Sequence, residues 1–234
     1  MNYEEMNNNR VILTGKVAEE AKFSHEVFGE GFYEIKIEVP RLSAQTDLLP
    51  VTISERLLAC HDASVGATIS IVGQFRSYNK FEEEKSRLML TVFARDVLEY
   101  EEETNPNVIE LEGYICKPPL YRTTPFKREI CDLLLAVNRA YNKSDYIPCI
   151  AWGRNARYVN GLSVGDRIAV QGRIQSREYQ KKLENSDEYI TKVAYEVSLS
   201  RVIVQRENNL SDSNAEKIVE NIVSSGLEDS KALA

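Results

Sequence analysis

Val164-Gly165-Asp166-Arg167-Ile168-Ala169-Val170-Gln171-Gly172-Arg173-Ile174-Gln175-Ser176 has a counterpart 99 residues earlier, Val65-Gly66-Ala67-Thr68-Ile69-Ser70-Ile71-Val72-Gly73-Gln74-Phe75-Arg76-Ser77. The leading Val-Gly, the isoleucine, the mid-segment glycine and the closing serine coincide. Upstream the offset is 98: Leu13 and Gly15 fall on Leu111 and Gly113, Val39 and Arg41 on Val137 and Arg139, and Pro50 on Pro148. A period near 100 residues signals two homologous domains, because solenoid units run about 20 to 50.

Each unit reads as strands punctuated by turns. In the second, Val108 to Cys116 alternates around Gly113, and a glycine inside a strand marks a bulge or a barrel corner. Ile130 to Asn138 and Tyr146 to Trp152 are apolar runs of strand length. Residues 153 to 160 break the pattern and suit a helical turn or two. Arg167 to Tyr179 and Tyr189 to Val204 complete the set. Five strands with a short helix between the third and fourth is the order of an OB-fold, a Greek-key barrel that binds oligonucleotides. The first unit follows suit, with Ser54 to Ala63 as its helix. The expected class is all-β: two tandem OB-folds, residues 1–104 and 105–206, followed by a tail over 207–234. In that tail Ser213 and Glu216 have capping-box spacing, and apolar residues recur at helical intervals over 214–224, predicting one short amphipathic helix.

The whole chain of 234 residues has a net charge of -7, which taken alone argues against a polyanionic partner. The regions differ. Residues 1–104 hold 11 Lys and Arg against 19 Asp and Glu, residues 105–206 hold 16 against 11, and the tail holds 2 against 6. A basic domain between two acidic segments points to polyanion binding by the middle of the chain. No apolar run is long enough for a membrane helix and the start of the chain lacks a secretory pattern, so a cytoplasmic location is expected. Cys60, Cys116, Cys131 and Cys149 lack C-x-x-C spacing and read as reduced thiols, with neither a zinc site nor a disulfide framework. Only His25 and His61 are available as imidazole bases, and acidic runs such as Glu101-Glu102-Glu103 suit solvated segments better than metal sites. Gly29-Glu30-Gly31 lacks the third glycine of a nucleotide fingerprint. No enzyme, metal or cofactor is expected.

Binding single strands without sequence preference takes a basic groove for phosphates and aromatic rings on which bases stack. The second unit holds Tyr141, Tyr146, Trp152 and Tyr179, interleaved with Arg139, Lys143, Arg154, Arg173 and Arg177. Strand parity turns Tyr146, Pro148, Ile150 and Trp152 to one face and Ile147, Cys149 and Ala151 to the barrel interior.

The runs Leu135-Ala136-Val137-Asn138-Arg139, Asp145 to Ala156 and Val164 to Arg177 resemble the bacterial single-stranded DNA-binding proteins, and the resemblance extends over nearly all of residues 107–204. It implies that Tyr141, Tyr146, Trp152 and Tyr179 stack on bases while Arg139, Arg154, Arg173 and Arg177 neutralise phosphates. It further implies a homodimer carrying four barrels, and possible contacts with replication or repair proteins. Opposite the four aromatics the first unit has Ser43, Leu48, Ser54 and approximately Lys80, with Tyr78 and Phe81 nearby. It reads as a degenerate barrel kept for assembly. The chain's end, Leu227 to Ala234, lacks the acidic, aromatic tip by which the resembled family recruits enzymes. Two rival readings are a primosome-like OB module that contacts replication proteins and an RNA-binding OB protein.

Overall fold

A computed structural model describes residues 7–41, 43, 45–82, 85–99, 105–182 and 188–205. The expected tail helix lies outside the described residues. Six strands and one short helix form each half: β1 (Asn9–Val17), β2 (Lys22–Val27), β3 (Glu30–Pro40), β4 (Thr46–Ser54), α1 (Glu55–Cys60), β5 (Thr68–Glu82) and β6 (Lys85–Leu98), then β7 (Asn107–Ile115), β8 (Leu120–Thr123), β9 (Glu129–Arg139), β10 (Lys143–Trp152), α2 (Arg154–Asn160), β11 (Arg167–Lys182) and β12 (Tyr189–Val204).

Five strands of each half close on themselves, as the OB order requires. In the second half β7, β11, β12, β10 and β9 are neighbours in turn, and β7 pairs back to β9; β1, β5, β6, β4 and β3 do the same in the first. The chain is therefore two tandem OB-folds. The sixth strand of each half was not foreseen: β2 and β8 lie at the ends of the sheet, against β3 and β9, and are mostly exposed. With neither face buried, they lack the apolar alternation that makes a strand legible.

Repeat-equivalent side chains fill the two interiors: Leu13 and Leu111, Leu49 and Ile147, Phe75 and Ile174 are buried pair by pair. Two glycines turn the barrel corners. A Cβ on Gly73 would strike the carbonyl of Phe93 and one on Gly172 that of Ser198, and both residues sit at register shifts in their ladders. The missing side chain lets β5 and β11 bend across their partners.

The barrels are joined by their first strands. β1 and β7 pair antiparallel with Val11 opposite Ile109, its own repeat mate, so a local twofold axis passes through that pair. All twelve strands thereby belong to one continuous sheet. Beyond each bulge a buried asparagine bridges the gap: the Asn9 amide donates to the Phe75 carbonyl (2.8 Å) and accepts from its N–H (2.9 Å), and Asn107 does the same with Ile174 (2.7 and 2.9 Å).

A second symmetric device crosses between the barrels. The Ser176 N–H of β11 donates to the Asp47 carboxylate of β4 (2.7 Å), and the Ser77 N–H of β5 donates to the Asp145 carboxylate of β10 (2.8 Å). Asp47 is 1% exposed and Asp145 2%. Each barrel thus satisfies a backbone amide of the other with a buried carboxylate. Among the described residues no helix is long and apolar enough to cross a membrane.

Candidate nucleic-acid interface

The outer face of the second barrel is assembled by register. Arg173, Gln175, Arg177 and Tyr179 of β11 lie opposite Ser198, Glu196, Ala194 and Lys192 of β12, and Ser198 in turn lies opposite Ile150 of β10. Directly opposed residues point to the same side of a sheet, so β10 adds Tyr146, Pro148, Ile150 and Trp152 to that face. Tyr146 is 46% exposed, Trp152 38% and Tyr179 36%. As expected, Ile147, Cys149 and Ala151 face the core. Ile150 differs from expectation: it has outward parity yet is buried, between Asp132 on one side and Ser198 on the other.

Trp152 is fixed in place. Its indole N–H donates to the Ser198 hydroxyl at 3.2 Å, and Gly153 follows it in a positive-φ conformation (φ 52, ψ -117) that turns the chain at once into α2. Arg154, the first residue of that helix, is exposed beside this turn. Tyr141 stands apart from the other three aromatics, in the turn between β9 and β10, with its ring 80% exposed. Tyr141 and Asn142 are both left-handed (φ 62 and 54). For a bulky residue that conformation costs about 1–3 kcal/mol, strain of the kind that collects at ligand-contacting segments.

Three of the four predicted arginines already have carboxylate neighbours. Arg139 lies 3.4 Å from Asp145, Arg173 lies 3.6 Å from Asp47 of the first barrel, and Arg177 lies 3.7 Å from Glu196. Glu196 is nearly buried and also accepts from the Gln175 amide at 2.8 Å. Arg139 shares the strand parity of Lys143 and Asp145, opposite to that of Tyr146, so it turns toward the barrel boundary instead of the main face.

The first barrel has none of the four platform aromatics. Ser43 is exposed, Leu48 is 37% exposed and Ser54 is buried, where its hydroxyl accepts from the Leu57 N–H as the cap of α1. A different aromatic row crosses this barrel: His25 stacks on Phe32 (5.2 Å), Phe32 meets Phe93 (5.6 Å), and the Arg76 guanidinium sits 3.9 Å over the Phe93 ring. Repeat alignment misses this row because Phe32 and Phe93 occupy the positions of Ile130 and Ser198, neither of them aromatic in the second barrel.

Cys131 and Cys149, buried in the second barrel, offer no reactive thiol at this face. Burial pushes the Cys131 thiol up to about 11 and raises Cys149 as well, so both stay protonated near neutrality. Among the described residues no three His, Cys, Asp or Glu side chains converge as a metal site.

Fold and face together define a tandem OB-fold protein with an aromatic, arginine-lined surface on its second barrel. Known proteins match this part of the chain. The profile of the single-strand binding protein family covers residues 106–202. Single-stranded DNA-binding protein 2 of Clostridium acetobutylicum is 38% identical over 93 residues, 37% of this chain and 69% of that protein. Single-stranded DNA-binding protein 1 of Staphylococcus aureus is 37% identical over 94 residues, again 37% of this chain but 56% of that protein. This chain belongs to the single-strand binding protein family. It spans only 56–64% of the length of relatives such as those from Staphylococcus aureus and Clostridium tetani. Over both barrels, the crystal structure of the wild-type single-stranded DNA binding protein from Thermus aquaticus gives a TM-score of 0.63 at 20% identity, covering 87% of this chain and 95% of that one. That likeness concerns the fold alone.

Proposed function

We propose that this protein binds single-stranded DNA through the second barrel, without strong sequence preference, and protects it during replication, recombination or repair. The observation that carries this reading is the common face built by β10, β12 and β11, on which Tyr146, Trp152 and Tyr179 are exposed among Arg173 and Arg177. Bases stack on the rings, each contact contributing about 1–3 kcal/mol, and arginines exchange their carboxylate neighbours for phosphates. Tyr141 and Arg154 extend the surface at its two ends.

Oligo-dT titration followed by intrinsic fluorescence tests the reading directly, since Trp152 is the chain's one tryptophan. Strong quenching is expected, with log affinity falling against log salt by about 0.7 per phosphate neutralised. Unchanged emission at saturating oligonucleotide would refute it. Matched RNA oligomers in the same titration separate DNA binding from the RNA-binding alternative, which requires RNA to bind at least as tightly.

The first barrel, in this reading, serves assembly. Its β1 closes on β7 within the chain, and two chains together supply the four barrels that the family resemblance implies. Light scattering at micromolar concentration is expected to give twice the 26.6 kDa chain mass. A monomer mass would discard the dimer.

A further inference from the structure

Where the barrels meet, a cleft of about 610 Å³ opens beside the Tyr141 turn. The first barrel lines it with Gln74, Arg76 and Arg95, and the second with Arg139, Tyr141 and Lys143. We infer that this cleft is a phosphate site: Arg76 and Arg95 hold the backbone of the same DNA strand whose bases stack on the second barrel, together with Arg139 and Lys143. The first barrel is then a DNA ligand in its own right. This rests on the single-stranded DNA reading above.

Charge is the first argument. Four cationic side chains line the cleft against one carboxylate, Asp145, which is buried and committed to the Ser77 N–H and to Arg139. The Arg76 guanidinium is the most constrained of the four. Its flat face rests on Phe93, one terminal nitrogen donates to the Gln74 side chain at 3.0 Å, and its buried Nε has no hydrogen-bond partner. Burial, reinforced by the nearby charges of Arg139 and Arg95, lowers Arg76 to about 10, while Asp145 only partly offsets them. A guanidinium held against like charges and short of acceptors is arranged for an anion that the protein does not itself supply. Strand continuity is the second argument. Tyr141, the most exposed aromatic of the second barrel apart from Phe126, stands at the cleft. A base stacked on Tyr141 would bring its own phosphate within the reach of a long arginine side chain from the first barrel.

Oligo-dT titrations of the full chain across a salt series decide this, comparing the unmodified protein with Arg76→Met, Arg95→Gln and their double variant. The double variant is expected to lose about one to two tenfold steps of affinity at low salt. Its log-log salt slope should be shallower by about 1.4, equivalent to two phosphates, with the Trp152 quench at saturation unchanged. Arg128→Gln, an exposed cation away from the cleft, should leave the slope alone. Arg76→Met relieves a part-buried charge, so its thermal midpoint should not fall, which separates lost binding from lost folding. If Arg76→Met does fold poorly, the exposed Arg95→Gln still decides, with an expected slope change of about 0.7. An unchanged salt slope in the variants, with normal quenching, overturns the cleft assignment. Absence of quenching in the unmodified protein instead overturns the platform reading.

Discussion

Asp47→Ala is expected to weaken the fold by about 3–5 kcal/mol and to do so in both barrels at once. The carboxylate is buried, accepts from Arg41 at 2.5 and 2.8 Å and from the Ser176 N–H, and lies 3.6 Å from Arg173. Removing it leaves a part-buried guanidinium and a backbone amide of the other barrel uncompensated. Urea unfolding monitored by Trp152 emission, which reports the second barrel, should shift together with far-UV dichroism, which reports both. A Trp152 transition that stays in place while dichroism moves would show that the barrels unfold independently and end the argument for mutual capping.

Acid should act through the same group. Burial alone would raise the Asp47 pKa, but the hydrogen bonds from Arg41 and Ser176 outweigh it and hold the carboxyl below its usual range. A lowered folded-state pKa means that its stabilisation is complete above the unfolded value near 3.9 and fades as pH drops through the folded one. The urea midpoint should therefore lose this contribution only below about pH 4, and Asp47→Ala should show a shallower acid loss.

Trp152→Ala and Tyr146→Ala should each weaken oligo-dT binding by about 5- to 150-fold, the equivalent of about 1–3 kcal/mol per stacked base. Anisotropy of a labelled oligonucleotide measures this without relying on the tryptophan. The salt slope should be unchanged, because a stacking contact releases no counterions. Leu48→Ala, at the corresponding place in the first barrel, should change affinity less than twofold. Losses below threefold in both platform variants would remove these rings from the interface.

Much of the fold was legible because it rests on local periodicity. The 98- and 99-residue offsets located both barrels, and strand parity sorted Ile147, Cys149 and Ala151 from Tyr146 and Trp152 without error. Ile150 escaped because its burial comes from neighbouring strands. Contacts between the barrels escaped altogether. Asp47 and Asp145 look like ordinary loop-edge charges, and Asp47's partner Ser176 lies 129 residues away. Arg139 was legible as a cation but not as a neighbour of Asp145. Counting charge by domain hid Arg76 and Arg95, since a net of -8 over residues 1–104 says nothing about where two arginines converge.

Reciprocal capping also constrains the order in which the protein matures on the ribosome. Ser77 obtains its carboxylate only after Asp145 has been synthesised, 68 residues later, and the Asn9–Leu13 stretch of β1, already paired with β5 on one side, finds its partner on the other only once β7 has appeared. The first barrel is therefore expected to leave the exit tunnel with the Ser77 amide uncapped and the Asn9–Leu13 edge open until the second barrel forms.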